Sequence, residues 1–360
     1  MPEKVMIVLA ASGRWLAEAA CAAGFDVWLI EQFADVDALR CCRRHQQVDD
    51  FSLTTVKPII EVWLSNAGRA AVIYGGGLEQ YPETLDFLAR RSEILGNSAE
   101  CFRKTLTKRD LFAHFARLGI AVPETRFTPP NLANDWLYKP MAGQGGSGIR
   151  LWQVGDALDT GGYWQRFVPG VAGSVLFAAN GRKSVIMAVH RYYQSEPPWR
   201  FAGLSNAPLL TARQLALLDQ ALAELVLLLR LKGLNTLDII TDGDAVWALE
   251  INARPSASLQ LYAPDWLAVH SAAVAGHLPT TDFRQWPASG FRIVYARRET
   301  VIAKGWRWPG FCHDCPPEGA AIGAGQPICT VLSSAENHAR LSEQLDQAIH
   351  FLTTQFKRMS

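Results

Sequence analysis

Two strand carboxylates, Asp238 and Glu250, lie with the Asn252 amide and the Arg254 guanidinium group in one short stretch, residues 236–258 of the sequence. Two strand-like runs, TLDIIT and AVWALEIN, flank the turn-forming residues 242–244, and this pattern predicts an antiparallel hairpin. Glu250 and Asn252 are two residues apart, so they should share one face of the second strand. The opposite face should take Trp247, Leu249 and Ile251.

The register of this hairpin decides whether Asp238 joins the other two polar residues. We expect a loop with an odd number of residues, which sets Thr241 opposite Ala245 and Asp238 opposite Ala248, diagonal to Glu250. Carboxylate and amide oxygens are ligands that suit Mg²⁺, and Arg254, just past the strand, could hold an anion. The sequence predicts a magnesium site here. A solvated hairpin face remains the alternative, because antiparallel strands alternate in polarity anyway.

A second candidate is the glycine-rich stretch at residues 143–148, which follows Lys139. Gly143, Gly145 and Gly148 match a dinucleotide-binding fingerprint, but that fingerprint must open a helix. The residues after it alternate like a strand, so we expect a flap between two strands. Backbone N–H groups of such a flap can close over phosphate oxygens. A flexible hairpin tip is the alternative.

Other polar groups are less specific. Residues 99–118 have helical periodicity, and a solvated helix face is the simplest interpretation of Lys104, Lys108 and Arg109. The glycines at 75–77 could approach a ligand or simply turn the chain. The loop 191–208 is rich in aromatic residues and arginine, and it could bind an organic acid or pack inward. Cys312 and Cys315 form a CxxC with Cys329 nearby, which fits loop thiols better than a zinc site.

The elements that must hold these residues are readable from hydrophobic patterns. Residues 5–31 read as a strand, a helix and a strand of a buried parallel sheet. Residues 163–168, 174–179 and 184–190 read as further strands. Residues 211–231 form the clearest helix, with Thr211 as its N-cap and a leucine stripe, and we expect it to pack beside the 236–258 hairpin. Residues 334–356 read as a terminal helix.

Composition bounds the remaining possibilities. A chain of 360 residues should form two or three domains, and a net charge of +1 disfavours a broad nucleic-acid surface. The apolar runs are too short for a membrane span. The odd number of cysteines and the lack of a signal-peptide pattern favour a cytoplasmic location.

Three features stand in a fixed order: a lysine on a helix, a lysine before a glycine-rich flap, and a D…E-x-N-x-R strand pair. Together they resemble the ATP-grasp superfamily, in particular carboxylate–amine ligases and proteins similar to biotin carboxylase and carbamoyl-phosphate synthase. The resemblance covers residues 96–258, with YKPMAGQGGSGI and LEINARPS as its most specific parts. It implies an α/β chain of the α+β ATP-grasp fold. We then expect three parts. The first is a Rossmann-like pre-ATP-grasp domain at 1–97, and the second is a two-lobed ATP-grasp domain at 98–280 with a lid at about 124–166. The third is a small β region with a terminal helix at 281–360.

The resemblance also implies roles for individual residues. Lys108 would contact the α-phosphate of ATP and Lys139 the α- and β-phosphates, while Arg254 would face the phosphoryl group. Mg²⁺, or Mn²⁺ in its place, would be bound by Asp238, Glu250 and Asn252. The flap over the triphosphate would be Gly143, Gly145, Gly146, Ser147 and Gly148, and the adenine would be held by Gln165, Arg166, Phe167 and Val168. Two positions depart from the family: Gln165 stands where many members have glutamate, and residues 170–174 lack the acidic residue that often binds the ribose.

The activity implied is ATP-dependent ligation of a carboxylic acid to an amine through an acyl phosphate, with release of ADP and phosphate. Carboxylation or carbamoyl-phosphate-type chemistry is the nearest alternative, and a nucleotide-binding regulator without turnover is another. A nicotinamide oxidoreductase is disfavoured, since the first βα turn lacks the required glycines. The expected partners are small-molecule substrates, without nucleic acid or membrane, and a homodimer is the default oligomer. Glutamate with an aromatic amine is the first substrate pair to consider.

Overall fold

The computed structural model describes residues 4–65, 70–131, 135–141, 143, 145–153, 155–156, 161–193, 197, 199–262, 265–280 and 283–359. Its N-terminal part is a parallel sheet in the order β3-β2-β1-β4-β5. Strands β1 and β4 are almost wholly buried and continuously apolar, as expected for a sheet covered on both faces. The strands are β1 Val5–Ala10, β2 Asp26–Glu31, β3 Arg44–Gln47, β4 Ala71–Tyr74 and β5 Glu93–Ile94, with helices α1 Arg14–Ala22, α2 Val36–Leu39, α3 Leu53–Leu64 and α4 Pro82–Ala89.

The predicted helix at 99–118 is two helices, α5 Ala99–Leu106 and α6 Lys108–Arg117. Thr107 separates them with a non-helical ψ of 77°. The Thr107 hydroxyl donates to the carbonyl of Arg103, closing the last turn of α5. This break makes Lys108 the first residue of a new helix, and its side chain is only 7 % exposed. The surface interpretation of Lys108 was therefore wrong, because periodicity alone does not show where a helix is interrupted.

A small antiparallel sheet follows, in the order β6-β9-β7-β8. It consists of β6 Thr125–Arg126, β7 Trp136–Pro140, β8 Arg150–Leu151 and β9 Gly162–Arg166. Trp136, Tyr138, Trp152 and Trp164 form its own aromatic cluster. The glycine-rich residues connect β7 to β8, which pair antiparallel, so the flap does lie between two strands.

The largest sheet has the order β14-β13-β10-β11-β12-β15-β19-β17. Its strands after residue 287 extend the same sheet that carries the 236–258 hairpin. The strands are β10 Val171–Asn180, β11 Ser184–Tyr192, β12 Gly203–Ser205, β13 Lys232–Thr241, β14 Val246–Asn252, β15 Ala288–Tyr295, β17 Cys312–His313 and β19 Pro327–Ala335. A separate pair is formed by β16 Thr300–Val301 and β18 Ala321–Ile322.

Helix α7, Ala212–Leu229, covers one face of this sheet, as predicted. Thr211 and Gln214 form a reciprocal capping box, which satisfies backbone donors at the helix start. Leu218, Leu222 and Leu225 are fully buried in the core that also contains Leu237 and Ile239 of the hairpin. The Gln214 amide also donates to the carbonyls of residues 243 and 244, so α7 holds the hairpin turn directly.

The remaining helices are α8, Trp266–Val274, and α9, His338–Met359. Helix α9 begins later than predicted because Ser334 still pairs with Ser289 in the sheet. Asn337 then accepts from the backbone of Arg340 and starts the helix. Across the described residues no helix combines the length and apolarity that a bilayer crossing requires.

Asn97 connects the N-terminal sheet to the hairpin. Its amide donates to Asn235 Oδ1 and to the carbonyl of Ala253, both at 2.8 Å, and its Oδ1 accepts from the backbone of Lys232 at 2.7 Å. Its own carbonyl accepts from the Tyr74 hydroxyl at 2.6 Å. The side chain is 2 % exposed, so each lost hydrogen bond would leave a buried group unpaired.

We expect Asn97→Ala to lower the free energy of unfolding by about 2–4 kcal/mol, because several buried partners lose their hydrogen bonds at once. Urea unfolding followed by circular dichroism measures this difference. The matched control is Gln220→Ala on the exposed side of α7, which should change stability by less than about 0.5 kcal/mol. Equal unfolding midpoints for the two variants would contradict the structural role of Asn97.

Candidate active site

Asp238 and Glu250 face each other directly across β13 and β14. The loop between the strands, 242–245, has an even number of residues, and Thr241 pairs with Val246. The predicted odd loop, with Asp238 opposite Ala248, was therefore wrong. A β-bulge corrects the register: Ile239 pairs with Ala248, but Asp238 pairs with Glu250, so Leu249 is the extra residue.

The bulge also changes which residues of β14 face the core. Val246 and Ala248 are buried before it and Ile251 after it, so the core face switches from even to odd positions. The predicted face with Trp247, Leu249 and Ile251 was thus correct only for Ile251. The switch places Glu250 on the polar face together with Asp238. Without Leu249 as an extra residue, an even loop would separate the two carboxylates.

The turn itself is fixed by local hydrogen bonds. Oδ1 of Asp242 accepts from the backbone N–H groups of Asp244 and Ala245 at 3.0 and 2.9 Å. Gly243 has φ +104°, a conformation that glycine adopts without strain. This is an Asx turn, which the Asp-Gly-Asp sequence of residues 242–244 predicts.

The two facing carboxylates carry different charge environments. Burial raises the pKa of Asp238 above its ordinary value, and the nearby Glu250 raises it further. Burial acts in the same direction on Glu250, but Lys108 Nζ lies 3.0 Å from its Oε2 and holds the pKa of Glu250 below its ordinary value. Glu250 therefore has a lysine in direct contact, whereas the charge of Arg254 lowers the pKa of Asp238 without offsetting its burial and the repulsion from Glu250.

Lys139 is the second lysine that the structure brings to the site. Its Nζ donates to Gln165 Oε1 at 2.7 Å, and the Gln165 amide donates to Thr125 Oγ1 at 3.0 Å. Burial lowers the pKa of Lys139 to about 8, and Lys108 adds to this effect while Glu250 opposes it. A neutral amide thus occupies the position beside the lysine where a glutamate would stabilise the ammonium form.

The flap residues that the structure describes are Gly143, Gly145, Gly146, Ser147 and Gly148; residues 142 and 144 lie outside the described part. Gly145, Gly146 and Gly148 have φ of +57°, +81° and +74°, which explains the glycines. Ser147 is exposed. The carbonyl of Gly145 accepts from the backbone N–H of Phe201 at 3.0 Å, so the flap contacts the segment before β12.

The residues expected to hold adenine lie where the chain leaves β9 for β10. Gln165 is 1 % exposed and faces Lys139 as described. Arg166 is at the surface, 3.3 Å from Glu124. The Phe167 N–H donates to the carbonyl of Asp135 at 2.6 Å. Val168 is half-buried in the connection itself.

Arg254 is held between the hairpin and the N-terminal sheet. Its Nε donates to Glu79 Oε1 at 2.8 Å, and its Nη2 donates to Asn252 Oδ1 at 3.2 Å. Glu79 follows the glycines at 75–77, and its Oε2 accepts from the N–H of Gly77 at 2.7 Å. Residue patterns did not point to Glu79, whose one signal in the sequence is a carboxylate two residues after the glycine turn.

The other candidates do not join this site. Lys104 pairs with Glu100 on the surface, and Arg109 stacks over Phe127. Arg191 is exposed, and parts of its loop, 194–196 and 198, lie outside the described residues. Cys312, Cys315 and Cys329 are buried free thiols.

Within the described ranges, the group whose ligand atoms are close enough for a metal is Glu18, Asp37 and His313. Arg14 already occupies two of these carboxylates: its Nη1 lies 2.7 Å from Glu18 and its Nε 3.6 Å from Asp37. Because Arg14 Nε also lies 2.9 Å from Asp314, this cluster is a partly buried ion-pair network that joins α1 to the loop after β17.

Comparisons with known proteins identify the domain and the fold. A sequence profile of the ATP-grasp domain matches residues 106–258. No curated protein sequence matches the chain. Similar solved structures include N5-carboxyaminoimidazole ribonucleotide synthetase from Thermotoga maritima, at 14 % identity and a TM-score of 0.68, covering 96 % of this chain and 98 % of that one.

Two further structures extend the comparison. L-amino acid ligase from Bacillus licheniformis is 13 % identical with a TM-score of 0.72, over 96 % of this chain and 97 % of that one. The biotin carboxylase domain of Hydrogenobacter thermophilus 2-oxoglutarate carboxylase, solved with MgADP, ADP and bicarbonate, is 12 % identical with a TM-score of 0.72, over 95 % and 89 %. At these identities the likeness shows the fold.

The chain therefore contains an ATP-grasp domain and has the ATP-grasp fold across nearly its whole length. The predicted resemblance to the ATP-grasp superfamily is confirmed for residues 106–258, and the predicted α/β fold class is confirmed for the chain.

The environment of Lys139 leads to a pH prediction. We expect its ammonium to titrate near pH 8, with the charge present below and lost above, because burial disfavours the charged form. Gln165→Glu should raise this midpoint by about 1–2 pH units, since a carboxylate would stabilise the ammonium. Heteronuclear NMR of the lysine Cε resonance, assigned with Lys139→Arg, measures it. A wild-type midpoint at the ordinary lysine value would contradict the burial argument.

Proposed function

We propose that this protein is an ATP-dependent carboxylate–amine ligase that forms an amide through an acyl phosphate. The observation that carries the proposal is the pair of facing carboxylates, Asp238 and Glu250, with cationic groups on both sides of it. A solvated hairpin would not bury a lysine against its polar face. The cationic groups are Lys108, Lys139 and Arg254, and each comes from a different part of the chain.

The oxygen-rich face fits a divalent cation. Burial raises the pKa of Asp238 and the carboxylate opposite it raises it further, and a bound cation would relieve that repulsion. Asn252 adds an amide oxygen on the same face of β14. We propose that Asp238, Glu250 and Asn252 hold Mg²⁺, with Mn²⁺ as a substitute; when bound, the ion would neutralise phosphate charge.

The lysines and the flap fit a nucleotide triphosphate. We propose that Lys108 contacts the α-phosphate and Lys139 the α- and β-phosphates, while the flap's N–H groups cover the phosphate oxygens. Gln165, Arg166, Phe167 and Val168 would hold the adenine in the connection between the two sheets. Because Gln165 is neutral, Lys139 would keep its charge chiefly through the bound phosphates.

The chemistry follows from charge and position. A substrate carboxylate attacks the γ-phosphorus, the bond to the departing ADP oxygen breaks, and an acyl phosphate forms. Amine nitrogen then attacks the acyl carbon, the C–O bond to phosphate breaks, and the nitrogen loses a proton. Positioning and electrostatics supply most of the catalysis in such transfers. Arg254, oriented by Glu79 and Asn252, would face the transferred phosphoryl group.

The flap has a second role in this scheme. An acyl phosphate is hydrolysed if water reaches it before the amine does, so the closed flap would act as a lid. The substrates would be small molecules bound between the hairpin and the glycine turn at 75–77. We propose this location because Glu79 of that turn already contacts Arg254.

The direct test is ADP release in the presence of Mg²⁺ with a panel of carboxylic acids and amines. We expect ADP to form only when a suitable acid and a suitable amine are both present, with one amide and one phosphate per ADP. ADP formation with bicarbonate and no amine would instead indicate carboxylation-type chemistry. Binding of ATP without any turnover across the panel would indicate a nucleotide-binding regulator.

Two carboxylate variants test the proposed site within one hairpin. We expect Glu250→Gln to lower kcat by at least about 100-fold, because it removes a metal ligand and the ion-pair partner of Lys108. Asp242→Asn removes a negative charge from the exposed turn while it keeps the accepting oxygen, so it should retain activity within about twofold. Similar kcat values for both variants would place the chemistry elsewhere.

A further inference from the structure

Tyr192 makes a direct hydrogen bond to the candidate metal site. Its hydroxyl donates to Asp238 Oδ1 at 3.0 Å from the end of β11. A neutral donor on one oxygen of a carboxylate restricts the rotation of that side chain without cancelling its charge. Groups of this kind, hydrogen-bonded to a ligand but not to the metal, commonly set the orientation of the ligand.

A buried chain of hydrogen bonds lies behind Tyr192. Ser174 pairs with Asp238 on one side and His190 on the other in the sheet register, so these side chains share a face. Ser174 Oγ contacts the Tyr192 hydroxyl and lies 3.3 Å from His190 Nδ1. His190 Nε2 lies 2.8 Å from the Tyr262 hydroxyl.

One assignment of donors satisfies this whole chain. Burial lowers the pKa of His190 to about 3, so its ring is neutral at physiological pH. Tyr262 then donates to Nε2, Nδ1–H donates to Ser174, Ser174 donates to Tyr192, and Tyr192 donates to Asp238. Because every donor points toward Asp238, the chain ends on the carboxylate as its final acceptor, and the bonds polarise one another.

The ring of Tyr192 points to a second connection. It packs edge-on against Phe201, with ring centroids 5.1 Å apart. Phe201 belongs to the flap seat, which we define as Trp199, Arg200 and Phe201. Its N–H donates to Gly145 of the flap at 3.0 Å, and its carbonyl accepts from the Tyr295 hydroxyl at 2.7 Å.

The contact between flap and seat is close. A Cβ atom at Gly146 would overlap the carbonyl oxygen of Trp199, so only glycine permits this approach. The seat is fixed from behind by Tyr295 and from the side by Tyr192. Tyr192 thus touches both a candidate metal ligand and the seat.

We propose that Tyr192 is a positioning residue that holds Asp238 for a divalent cation through its hydroxyl and braces the flap seat through its ring. Occupation of the metal site and closure of the flap are then coupled through one side chain. This inference rests on the proposed function for the identity of the metal site. The flap-seat contact itself is independent of it.

Three variants separate the two contacts. Tyr192→Phe removes the hydroxyl and keeps the ring, and Phe201→Leu removes the ring contact and keeps the backbone N–H. Tyr193→Phe is the matched control, because it makes the same chemical change one residue further along the chain. The Tyr193 hydroxyl is hydrogen-bonded with Ser205 and not with Asp238. Mn²⁺ binding by electron paramagnetic resonance reads the metal site, and hydrogen exchange of the peptide containing residues 145–149 reads the flap.

We expect Tyr192→Phe to weaken Mn²⁺ binding by about tenfold or more, while Tyr193→Phe stays within about twofold of wild type. Phe201→Leu should speed flap exchange in the ligand-free protein and change Mn²⁺ binding by less than about threefold. At saturating Mn²⁺ and ADP the wild-type flap should gain protection, and Tyr192→Phe should gain less.

Two results would overturn the inference: Tyr192→Phe matching Tyr193→Phe in Mn²⁺ binding and flap protection, or Phe201→Leu leaving ligand-free flap exchange unchanged. If the wild type binds neither Mn²⁺ nor ADP, the proposed function and the metal role of Tyr192 both fail. Hydrogen exchange of residues 145–149 in ligand-free Phe201→Leu then still tests whether the flap seat holds the flap.

Discussion

The repulsion between Asp238 and Glu250 is the constraint around which the site is arranged. Two carboxylates directly opposite each other in a half-buried sheet face are unfavourable unless cations or donors compensate them. Lys108 balances Glu250, and Tyr192 donates to Asp238. Hydrogen bonds with Tyr192 and Asn252 and the charge of Arg254 compensate Asp238 in part, but burial and Glu250 keep its pKa raised, so the site favours additional positive charge. We regard this residual imbalance as the physical basis of the proposed metal binding.

Several separate parts of the chain converge on this pair. The break at Thr107 puts Lys108 at a helix start, where its side chain enters the site. Lys139 reaches in from the small sheet, and Arg254 is oriented by Glu79 from the N-terminal sheet. Since each group comes from a different sheet or helix, relative movement of these parts would change the electrostatics of the site. Asn97, which links the N-terminal sheet to the hairpin, limits one such movement.

The hairpin illustrates how backbone geometry decides chemistry. Alternation in an antiparallel strand means that one residue of slip moves every side chain to the opposite face. The even loop at 242–245 would by itself place Asp238 away from Glu250. The bulge at Leu249 restores the shared face, and the core face switches from Ala248 to Ile251 at the same point. Bulges near functional sites are known to redirect side chains in this way.

The sequence by itself determined the local features whose causes are local. The turn at Asp242, the glycines that need positive φ in the flap, the capping box of α7 and its leucine stripe all depend on neighbours within a few residues. The order of motifs also predicted the ATP-grasp domain that the family comparison finds at residues 106–258. Only the tertiary structure decided the bulge at Leu249, the burial of Lys108 and the contact between Glu79 and Arg254. Those features depend on packing and charge between segments far apart in the chain, and residue spacing does not encode such contacts.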